Sequence, residues 1–352
     1  MAAIGPVEAL AAARSAVEAT TASERADPSE ATVGSAPERP PAAGLKVVVL
    51  VNASAGAAAL QGADRLGEAL AEAFETSGLS VEIELVGGDD MRAAAEAARD
   101  RAHRAEIGAV AVGGGDGTIS TVAGVLAGTG IPLGILPLGT LNHFAKDLGL
   151  PADVDEAVVI IARGETRTVD VAEVNGRVFV NNSSIGLYPL MVLDRERRRA
   201  SHGYRKWSAT ALAAVRVLRH FSLRRLTLRA EGISEPCRTP LLFIGNNRYE
   251  IAGRSLGGRG SLEDGELCVY VAKQHSRLAL IWLGVRSLLG WLDEDRDLRI
   301  LNLRSAEIAT RRRRLLVALD GEIALLTVPL RYRIRPGALK VFAPRAARDE
   351  RV

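Results

Sequence analysis

A glycine-rich turn with an acid inside it, GGGDGT at 113–118, is the stretch of this 352-residue chain most suited to chemistry. It lies between an apolar run, AVAV, and a helix-forming run, TISTVAGVLA, so a strand is predicted before it and a helix after it. Free amides at a helix N-terminus favour an anion, typically a phosphate group. Asp116 would repel phosphate oxygens unless a cation lay between them, which predicts magnesium bound with a nucleotide. The alternative is that Asp116 only caps the following helix.

Two further turns favour nucleotide binding because they follow apolar runs of the same kind. PLGTLNHF at 137–144 follows the run PLGIL, and VNASAG at 51–56 follows LKVVVL. The carboxyl ends of parallel strands meet at one edge of an open sheet, where such folds bind ligands. A dinucleotide fingerprint is excluded because Thr118 stands where its third glycine belongs, and the Gly-Lys-Ser/Thr of a Walker A loop is absent.

Two acids near the end of the chain are candidates for proton transfer. In LVALDGEIALL (316–326), Asp320 and Glu322 stand at a tight turn between two apolar runs. A hydroxyl nucleophile needs a base within hydrogen-bond reach, and Asp320 is the candidate. The alternative is a hairpin that uses Asp-Gly only for its backbone geometry.

Each of the other metal or acid–base candidates also has an ordinary structural explanation. SLEDGEL (261–267) carries acids around a glycine and is either a cation-binding loop or an ordinary acidic turn. His143 could donate to a phosphate or lie on a helix surface. Cys237 and Cys268 lie in apolar runs without the histidine spacing of a metal cluster, which predicts buried thiols in a reducing cytoplasm.

The pattern of apolar runs predicts two domains. Residues 1–44 are rich in Ala, Ser, Thr, Pro and Glu and predict a disordered arm, and 345–352 predict a flexible tail. From 45 to 165, short β-branched runs alternate with alanine-rich helical stretches, which predicts a parallel sheet covered by helices. From 166 to 337, strands separated mainly by turns predict a second, mostly antiparallel domain, after which 338–344 return to the first.

Charge and hydropathy limit the partners. Net charge is +3, but residues 195–225 hold ten Arg or Lys against one acid, Glu196. Such a stretch suits nucleic acid, an anionic lipid surface or a solvated helix face, and an aromatic content of only 4% argues against base stacking on nucleic acid. The apolar stretch 278–292 is too short to cross a bilayer and contains Arg286, so it predicts either a cover for the β domain or a membrane-surface contact.

Four segments, in this order and spacing, resemble the diacylglycerol kinase catalytic family, and most of all its soluble bacterial lipid kinases. They are GGGDGT (113–118), PLGTLNHFAKDLGLP (137–151), SLEDGEL (261–267) and LDGE (319–322). The resemblance extends from about 45 to 344, with sphingosine and ceramide kinases as relatives. It implies a doubly wound α/β nucleotide domain and a mostly antiparallel, β-sandwich-like lipid domain, with the active site in the cleft between them.

The resemblance also implies roles for individual residues. Asp320 falls on the aspartate thought to act as general base, and Glu322 is the second catalytic acid of its turn. The positions implied to contact ATP are Asn52, Gly114, Gly115, Asp116, Gly117, Thr118, Ile119, Ser120, Gly139, Thr140 and Asn142. The positions implied to bind Mg²⁺ are Asp116 and the loop residues Ser261, Asp264 and Glu266. Two positions depart from the family: its Asn-Asp-Phe reads Asn142-His143-Phe144 here, and its proline after Asn52 is absent.

The sequence therefore predicts an ATP- and Mg²⁺-dependent lipid kinase that phosphorylates a lipid hydroxyl, with diacylglycerol converted to phosphatidic acid. The expected partner is a lipid at a membrane surface, with no nucleic acid, and the expected location is the cytoplasm with peripheral membrane contact. The oligomeric state is open, with a homodimer as one alternative. An NAD kinase-like phosphotransferase and a non-catalytic nucleotide- or lipid-binding protein on the same fold are the alternative functions.

Overall fold

The computed structural model describes residues 44–53, 62–186, 224–230, 232–250, 258–273 and 297–344, together with positions 189, 276 and 279. Several sequence predictions lie outside these residues, apart from isolated positions. They are the N-terminal arm, the C-terminal tail, the basic stretch 195–206, the helical inserts near 204–221 and 276–292, and Ser54 and Gly56 of the first turn.

The N-terminal half forms an α/β lobe in which strands and helices alternate. Its elements are β1 (Lys46–Asn52), α1 (Ala63–Thr76), β2 (Ser80–Val86), α2 (Met91–His103), β3 (Ala109–Gly114), α3 (Asp116–Leu126), β4 (Leu133–Pro137), α4 (His143–Asp147) and α5 (Val154–Arg163). The strands are parallel in the order β2-β1-β3-β4. This arrangement confirms the predicted doubly wound α/β domain.

Strand β1 shows why this sheet is covered on both faces. Its residues 47–51 are all apolar and fully buried, as is typical of a central parallel strand. Val48 and Leu50 pack in one core with α2 and α3, whereas Val47, Val49 and Val51 pack in a second core with α1 and α5. The carboxyl ends of β1, β3 and β4 are thereby held side by side.

The C-terminal half forms a β lobe of two packed sheets. Its elements are β5 (Thr166–Val174), β6 (Arg177–Phe179), β7 (Asn182–Gly186), β8 (Arg224–Ala230), β9 (Ile233–Thr239), β10 (Leu241–Asn246), β11 (Leu267–Ala272), β12 (Leu298–Leu303), β13 (Ser305–Ala309), β14 (Arg314–Leu319), β15 (Glu322–Thr327) and β16 (Leu330–Phe342). One sheet has the order β12-β11-β10-β7-β14-β15, and it packs through a common apolar core against β5, β16, β13 and β8 of the other. The predicted antiparallel, sandwich-like domain is confirmed.

The long strand β16 connects the two lobes. Its first half pairs with β13 in the sandwich, and Val341 near its end pairs in parallel with Leu133 of β4. Strand β5 runs antiparallel along nearly all of β16, with a register shift between Arg335 and Leu339. Because β5 and β16 contribute to the cores of both lobes, the two-stranded ribbon fixes how one lobe continues into the other.

Two smaller sequence predictions can be compared with the described residues. Cys268 is a buried free thiol, whereas Cys237 is a free thiol that is only half-buried. Across the described parts of the chain, the helices are too short or too polar for any of them to span a bilayer.

Tyr332 supplies a test of how the two sheets are held together. Its hydroxyl lies 2.9 Å from the Ser183 hydroxyl of the opposite sheet, and both residues are buried. Tyr332→Phe leaves Ser183 without this partner, so the free energy of unfolding should fall by about 1–3 kcal/mol in urea titrations. Leu325→Thr, at a side chain that is 57% exposed, is the control and should change it by less than about 0.5 kcal/mol. An unchanged urea midpoint for Tyr332→Phe would contradict this account.

Candidate active site

Two glycine turns of the α/β lobe are packed directly against each other. A Cβ atom placed on Gly139 would lie 2.5 Å from the Cα atom of Gly115, so a side chain at this contact is excluded. Asn142 holds the second turn in shape. It adopts a left-handed conformation (φ 50°), and its amide nitrogen donates to the carbonyl oxygens of Pro137 and Gly139 at 2.9 Å each. The edge predicted for ligand binding is therefore a continuous glycine-lined surface.

The N-terminus of α3 offers hydrogen-bond donors at this surface. Among the described residues, no acceptor pairs with the backbone N–H groups of Gly117 and Thr118. The Asn52 side chain lies beside them and donates to the Thr118 hydroxyl at 2.9 Å. Unpaired amides at the start of a helix suit a phosphate group. The next two residues face inward, because Ile119 is fully buried and Ser120 is 8% exposed.

Asp116 caps a helix, but not the one that follows it. Its two carboxylate oxygens accept the backbone N–H groups of His143 (3.2 Å) and Phe144 (3.1 Å), which begin α4. Asn181 of the β lobe also donates its side-chain amide to Asp116, at 3.2 Å. The carboxylate thus joins the two glycine turns and the neighbouring lobe. Oδ1 accepts two of these three donors and Oδ2 accepts one, so Oδ2 keeps a lone pair for a further contact.

The turn Asp320-Gly321 brings the β lobe to the N-terminus of α3. The two residues have positive φ values of 46° and 87° and connect β14 to β15, as a two-residue hairpin of the primed type requires. The side chain of Glu322, the next residue, lies so close to Gly117 that a Cβ atom there would collide with its carboxyl group. The two predicted acid-bearing turns, 113–118 and 319–322, are therefore neighbours in space, in contact through Gly117 and Glu322.

The carboxylate of Asp320 is held by the backbone between β6 and β7. It accepts the N–H groups of Val180, Asn181 and Asn182 at 2.8–2.9 Å. Burial raises the pKa of Asp320 to about 6, although these hydrogen bonds and one from Ser120 favour the ionised form. A carboxylate with a pKa in this range can accept a proton near neutral pH and release it again.

Asn181 connects the two acids. Its backbone N–H donates to Asp320 and its side-chain amide nitrogen donates to Asp116, while its side-chain oxygen accepts from Arg259 at 2.8 Å. Asn181 is 2% exposed. Asp116 and Asp320 therefore belong to opposite lobes and are both bonded to a single buried residue. The junction of the lobes at these two acids is called the cleft below.

Arg259 and Asp147 form a buried ion pair behind this cleft. The guanidinium Nε atom lies 2.7 Å from an Asp147 carboxylate oxygen, and the two side chains are 0% and 8% exposed. Burial raises the pKa of Asp147, and the charge of Arg259 opposes that shift. Asp147 is the last residue of α4, whose first amides bind Asp116.

The loop assigned to a structural magnesium lies behind the cleft and is held by other contacts. The N–H of Gly265 donates to the Asp170 carboxylate at 2.7 Å, and that of Glu266 donates to Asn247. Asp264 is exposed, and the Ser261 hydroxyl accepts the N–H of Glu263. No group of three or more His, Cys, Asp or Glu within the described ranges is arranged to hold a metal. Magnesium in this loop stays a prediction.

Sequence reasoning missed the residues that connect the predicted ones: Asp147, Asp170, Asn181, Asn247 and Arg259. A signal existed for one of them. Asn181 belongs to a pair of asparagines in a strand-like run, where asparagine is uncommon. Asp147 and Arg259 are 112 positions apart, and no local pattern pairs them.

Family models match both halves of the chain. A model described as the diacylglycerol kinase catalytic domain matches residues 46–174, and one described as the YegS C-terminal NAD kinase beta sandwich-like domain matches 195–343. A crystal structure of a diacylglycerol kinase from Bacillus anthracis str. Sterne aligns with a TM-score of 0.59 at 23% identity, covering 86% of this chain and 97% of that one. That likeness supports the fold.

Two curated relatives have higher identity. The protein named "Probable lipid kinase YegS" from Escherichia fergusonii is 31% identical over 179 residues, which are 48% of this chain and 57% of that protein. The diacylglycerol kinase of Mycobacterium tuberculosis (strain H37Rv) is 31% identical over 274 residues, which are 75% of this chain and 85% of that protein. The chain therefore belongs to the diacylglycerol kinase family and is a kinase that transfers phosphate to an alcohol.

Proposed function

We propose that this protein is an ATP-dependent lipid kinase that transfers the γ-phosphoryl group to a lipid hydroxyl, with diacylglycerol as the acceptor and phosphatidic acid as the product. One observation carries the proposal: at the junction of the two lobes, Asn181 is bonded both to Asp320 of the β lobe and to Asp116, the first residue of α3. Phosphoryl transfer to a hydroxyl needs a base on the acceptor side and donors to the phosphate oxygens on the other. The β lobe contributes the base, and the α/β lobe contributes the donors to the phosphate oxygens.

The residues at the α3 N-terminus fit Mg²⁺-ATP. The amides of Gly117 and Thr118 are free to donate to phosphate oxygens, and the contact of Gly115 with Gly139 leaves no side chain in the way. Thr140 is exposed at the same edge. Asp116 could ligate Mg²⁺ through the remaining lone pair of Oδ2, since that ion commonly uses one or two carboxylates together with substrate phosphates. Bound Mg²⁺-ATP supplies the phosphoryl group.

Asp320 has the position and chemistry of a general base. Three backbone amides fix its carboxylate, so it cannot turn away from the cleft without losing them. It would take the proton of the acceptor hydroxyl at a carboxylate oxygen while the hydroxyl oxygen bonds to the γ-phosphorus. The bond from that phosphorus to the β,γ-bridging oxygen would break at the same time, and ADP would leave with the electron pair. The α3 amides and Glu322 border the same space, and the amides would stabilise the charge on the phosphate oxygens.

The lipid acceptor also implies contact with a membrane surface at its cytoplasmic face. The basic stretch 195–206 and the apolar stretch 278–292 are the sequence features that support it, at about 1 kcal/mol for each cation near an anionic leaflet. Apart from position 279, both stretches lie outside the described residues, so this part of the proposal rests on sequence.

An acceptor panel tests the proposed function. Purified protein would be incubated with Mg²⁺ and ATP labelled in the γ-phosphate, with diacylglycerol, monoacylglycerol, sphingosine, ceramide or NAD as separate acceptors. We expect labelled phosphatidic acid from diacylglycerol as the main product. Label on another lipid alone would keep the lipid kinase and overturn diacylglycerol as its acceptor.

NAD kinase is the second candidate, because the matched β-lobe model is described as NAD kinase beta sandwich-like. The β lobe nevertheless lacks a Thr-Gly-Ser-Thr-Ala-Tyr-like segment in the sequence. Labelled NADP as the sole product of the panel would establish this alternative and reject the lipid kinase.

Asp320→Asn tests the base. Asparagine tolerates the left-handed conformation of this turn but cannot accept the proton, so kcat should fall by about 10²–10⁴-fold while ATP still binds. Steady-state kinetics and nucleotide titration calorimetry measure the two quantities. Asp153→Asn, at an exposed helix cap far from the cleft, is the matched control and should retain kcat. Undiminished turnover of Asp320→Asn would refute the assignment.

The raised pKa of Asp320 predicts an acid limb in the pH profile. Below its pKa of about 6 the carboxyl is protonated and cannot act as a base, so kcat should fall about tenfold per pH unit. The free energy of unfolding changes with pH in the opposite direction to kcat. The stabilisation that comes from the raised pKa of Asp320 is present below the unfolded pKa of about 3.9 and is lost as the pH rises through 6. Saturating kinetics between pH 5 and 8 measure the limb. A limb that persists in Asp320→Asn would assign it to another group.

Asp116→Ala tests the nucleotide side. Loss of the carboxylate should lower kcat/KM for Mg²⁺-ATP by roughly tenfold or more and reduce the dependence of the rate on Mg²⁺. Asp153→Ala also removes a helix cap, at about 1 kcal/mol of stability, and controls for that effect. A magnesium dependence equal to that of the wild type would argue that Asp116 is only a cap of α4.

A further inference from the structure

Arg259 is a buried cation placed between the two lobes behind the cleft. Its guanidinium makes four hydrogen bonds: to Asp147, to the carbonyl oxygens of Val180 (2.7 Å) and Asn246 (3.1 Å), and to Asn181. The rings of Phe144 and Tyr249 lie on it, with centroids 5.9 and 5.5 Å from its central carbon. A planar group with five donors can satisfy this geometry, whereas a lysine ammonium cannot reach all four acceptors at once.

The contacts of Arg259 close a ring through the candidate site. Arg259 donates to Asn181, Asn181 donates to Asp116, and Asp116 accepts the amides that begin α4. Helix α4 ends at Asp147, which pairs with Arg259. Every link of the ring is a hydrogen bond of 2.7–3.2 Å, and the ring crosses from one lobe to the other twice.

The bond from Arg259 to Asn181 determines which way the Asn181 amide faces. With the guanidinium as donor, the side-chain oxygen of Asn181 must face Arg259, and its nitrogen must then face Asp116. The backbone N–H of the same residue is bonded to Asp320. Arg259 touches neither acid, yet it is the partner that fixes the residue between them.

We propose that Arg259 is a positioning residue of this kinase, which acts through Asn181 to hold Asp116 and Asp320 at their working separation. Asp147 keeps the guanidinium in place and holds the far end of α4. The proposal rests on the proposed function, because the two acids are taken as its nucleotide-side and base-side groups. It assigns a role in turnover to a residue that is hydrogen-bonded to neither acid.

A purely structural role makes a different prediction from a positioning role. Removing one partner of a buried ion pair leaves an uncompensated charge and destabilises the fold, whereas replacing both partners with apolar residues often restores stability. The double variant Asp147→Leu/Arg259→Met should therefore recover thermal stability relative to either single variant. It still lacks the donor to Asn181, so its kcat should stay low.

Kinetics on five variants test the role. Arg259→Lys and Asp147→Leu/Arg259→Met should each lower kcat by about 10²-fold, as expected for misplaced catalytic groups, with KM for ATP changed by less than about threefold. Asn181→Ala should give a similar loss. Combining it with Arg259→Lys should lower kcat no further, because both changes remove the same interaction. Arg299→Lys, in the exposed pair with Glu235, is the matched control and should retain kcat.

Amide hydrogen exchange supplies a readout that does not depend on activity. In Asp147→Leu/Arg259→Met, three amides should exchange at least tenfold faster than in the wild type, because the ring that fixes both acids is open. They are the amides of His143 and Phe144, which bond to Asp116, and the amide of Asn181, which bonds to Asp320. The amide of Val317, inside β14, should retain its protection in a folded protein.

Two results would overturn the proposal: recovery of kcat together with stability in Asp147→Leu/Arg259→Met, or unchanged exchange at the amides of His143, Phe144 and Asn181 in that variant. Additive losses for Asn181→Ala and Arg259→Lys would show that Arg259 does not act through Asn181, and would overturn it as well. A wild-type protein with no activity on any acceptor would reject the proposed function instead. The exchange measurement then decides alone whether Arg259 orders the site.

Discussion

The geometry of the site depends on Asn181, the buried residue that is bonded to an acid from each lobe. A buried amide must pair both its nitrogen and its oxygen, since an unpaired polar group in the interior costs about 1–3 kcal/mol. Asn181 meets this requirement with Asp116 on one side and Arg259 on the other. Its backbone serves Asp320 at the same time. The separation of the two acids is therefore fixed by hydrogen-bond length rather than by loop flexibility.

The β5–β16 ribbon and the ring through Arg259 constrain the lobes at different places. The ribbon changes register between Arg335 and Leu339, and the N–H of Gly337 within that shift donates to Asp170 at 2.8 Å. Asp170 also accepts the N–H of Gly265. One buried carboxylate therefore fixes both the bend of the ribbon and the loop at 261–267. The ring through Arg259 bonds the lobes to each other beside Asp116 and Asp320. Phosphoryl transfer needs a fixed distance between these two acids.

Much of the fold was predictable because its determinants are local. Residue patterns a few positions long predict three of its elements: the buried strand β1, the glycine turn at 113–118 and the Asp320-Gly321 hairpin. The same locality explains what was missed. The Arg259–Asp147 pair depends on chain segments that meet only in the folded protein, and Asp116 caps a helix 27 residues away rather than its own. A single sequence contains no period or spacing that reports such contacts.

Asp320 shows that a structural and a functional interpretation of one residue can both hold. The left-handed φ of 46° is what a primed hairpin requires, and aspartate is among the few side chains that tolerate it. That conformation also turns the carboxylate onto the amides of 180–182, which hold it in place. Burial works against those amides and leaves the pKa near 6. The hairpin geometry that would explain the Asp-Gly dipeptide without function is thus the geometry that makes Asp320 suitable as a base.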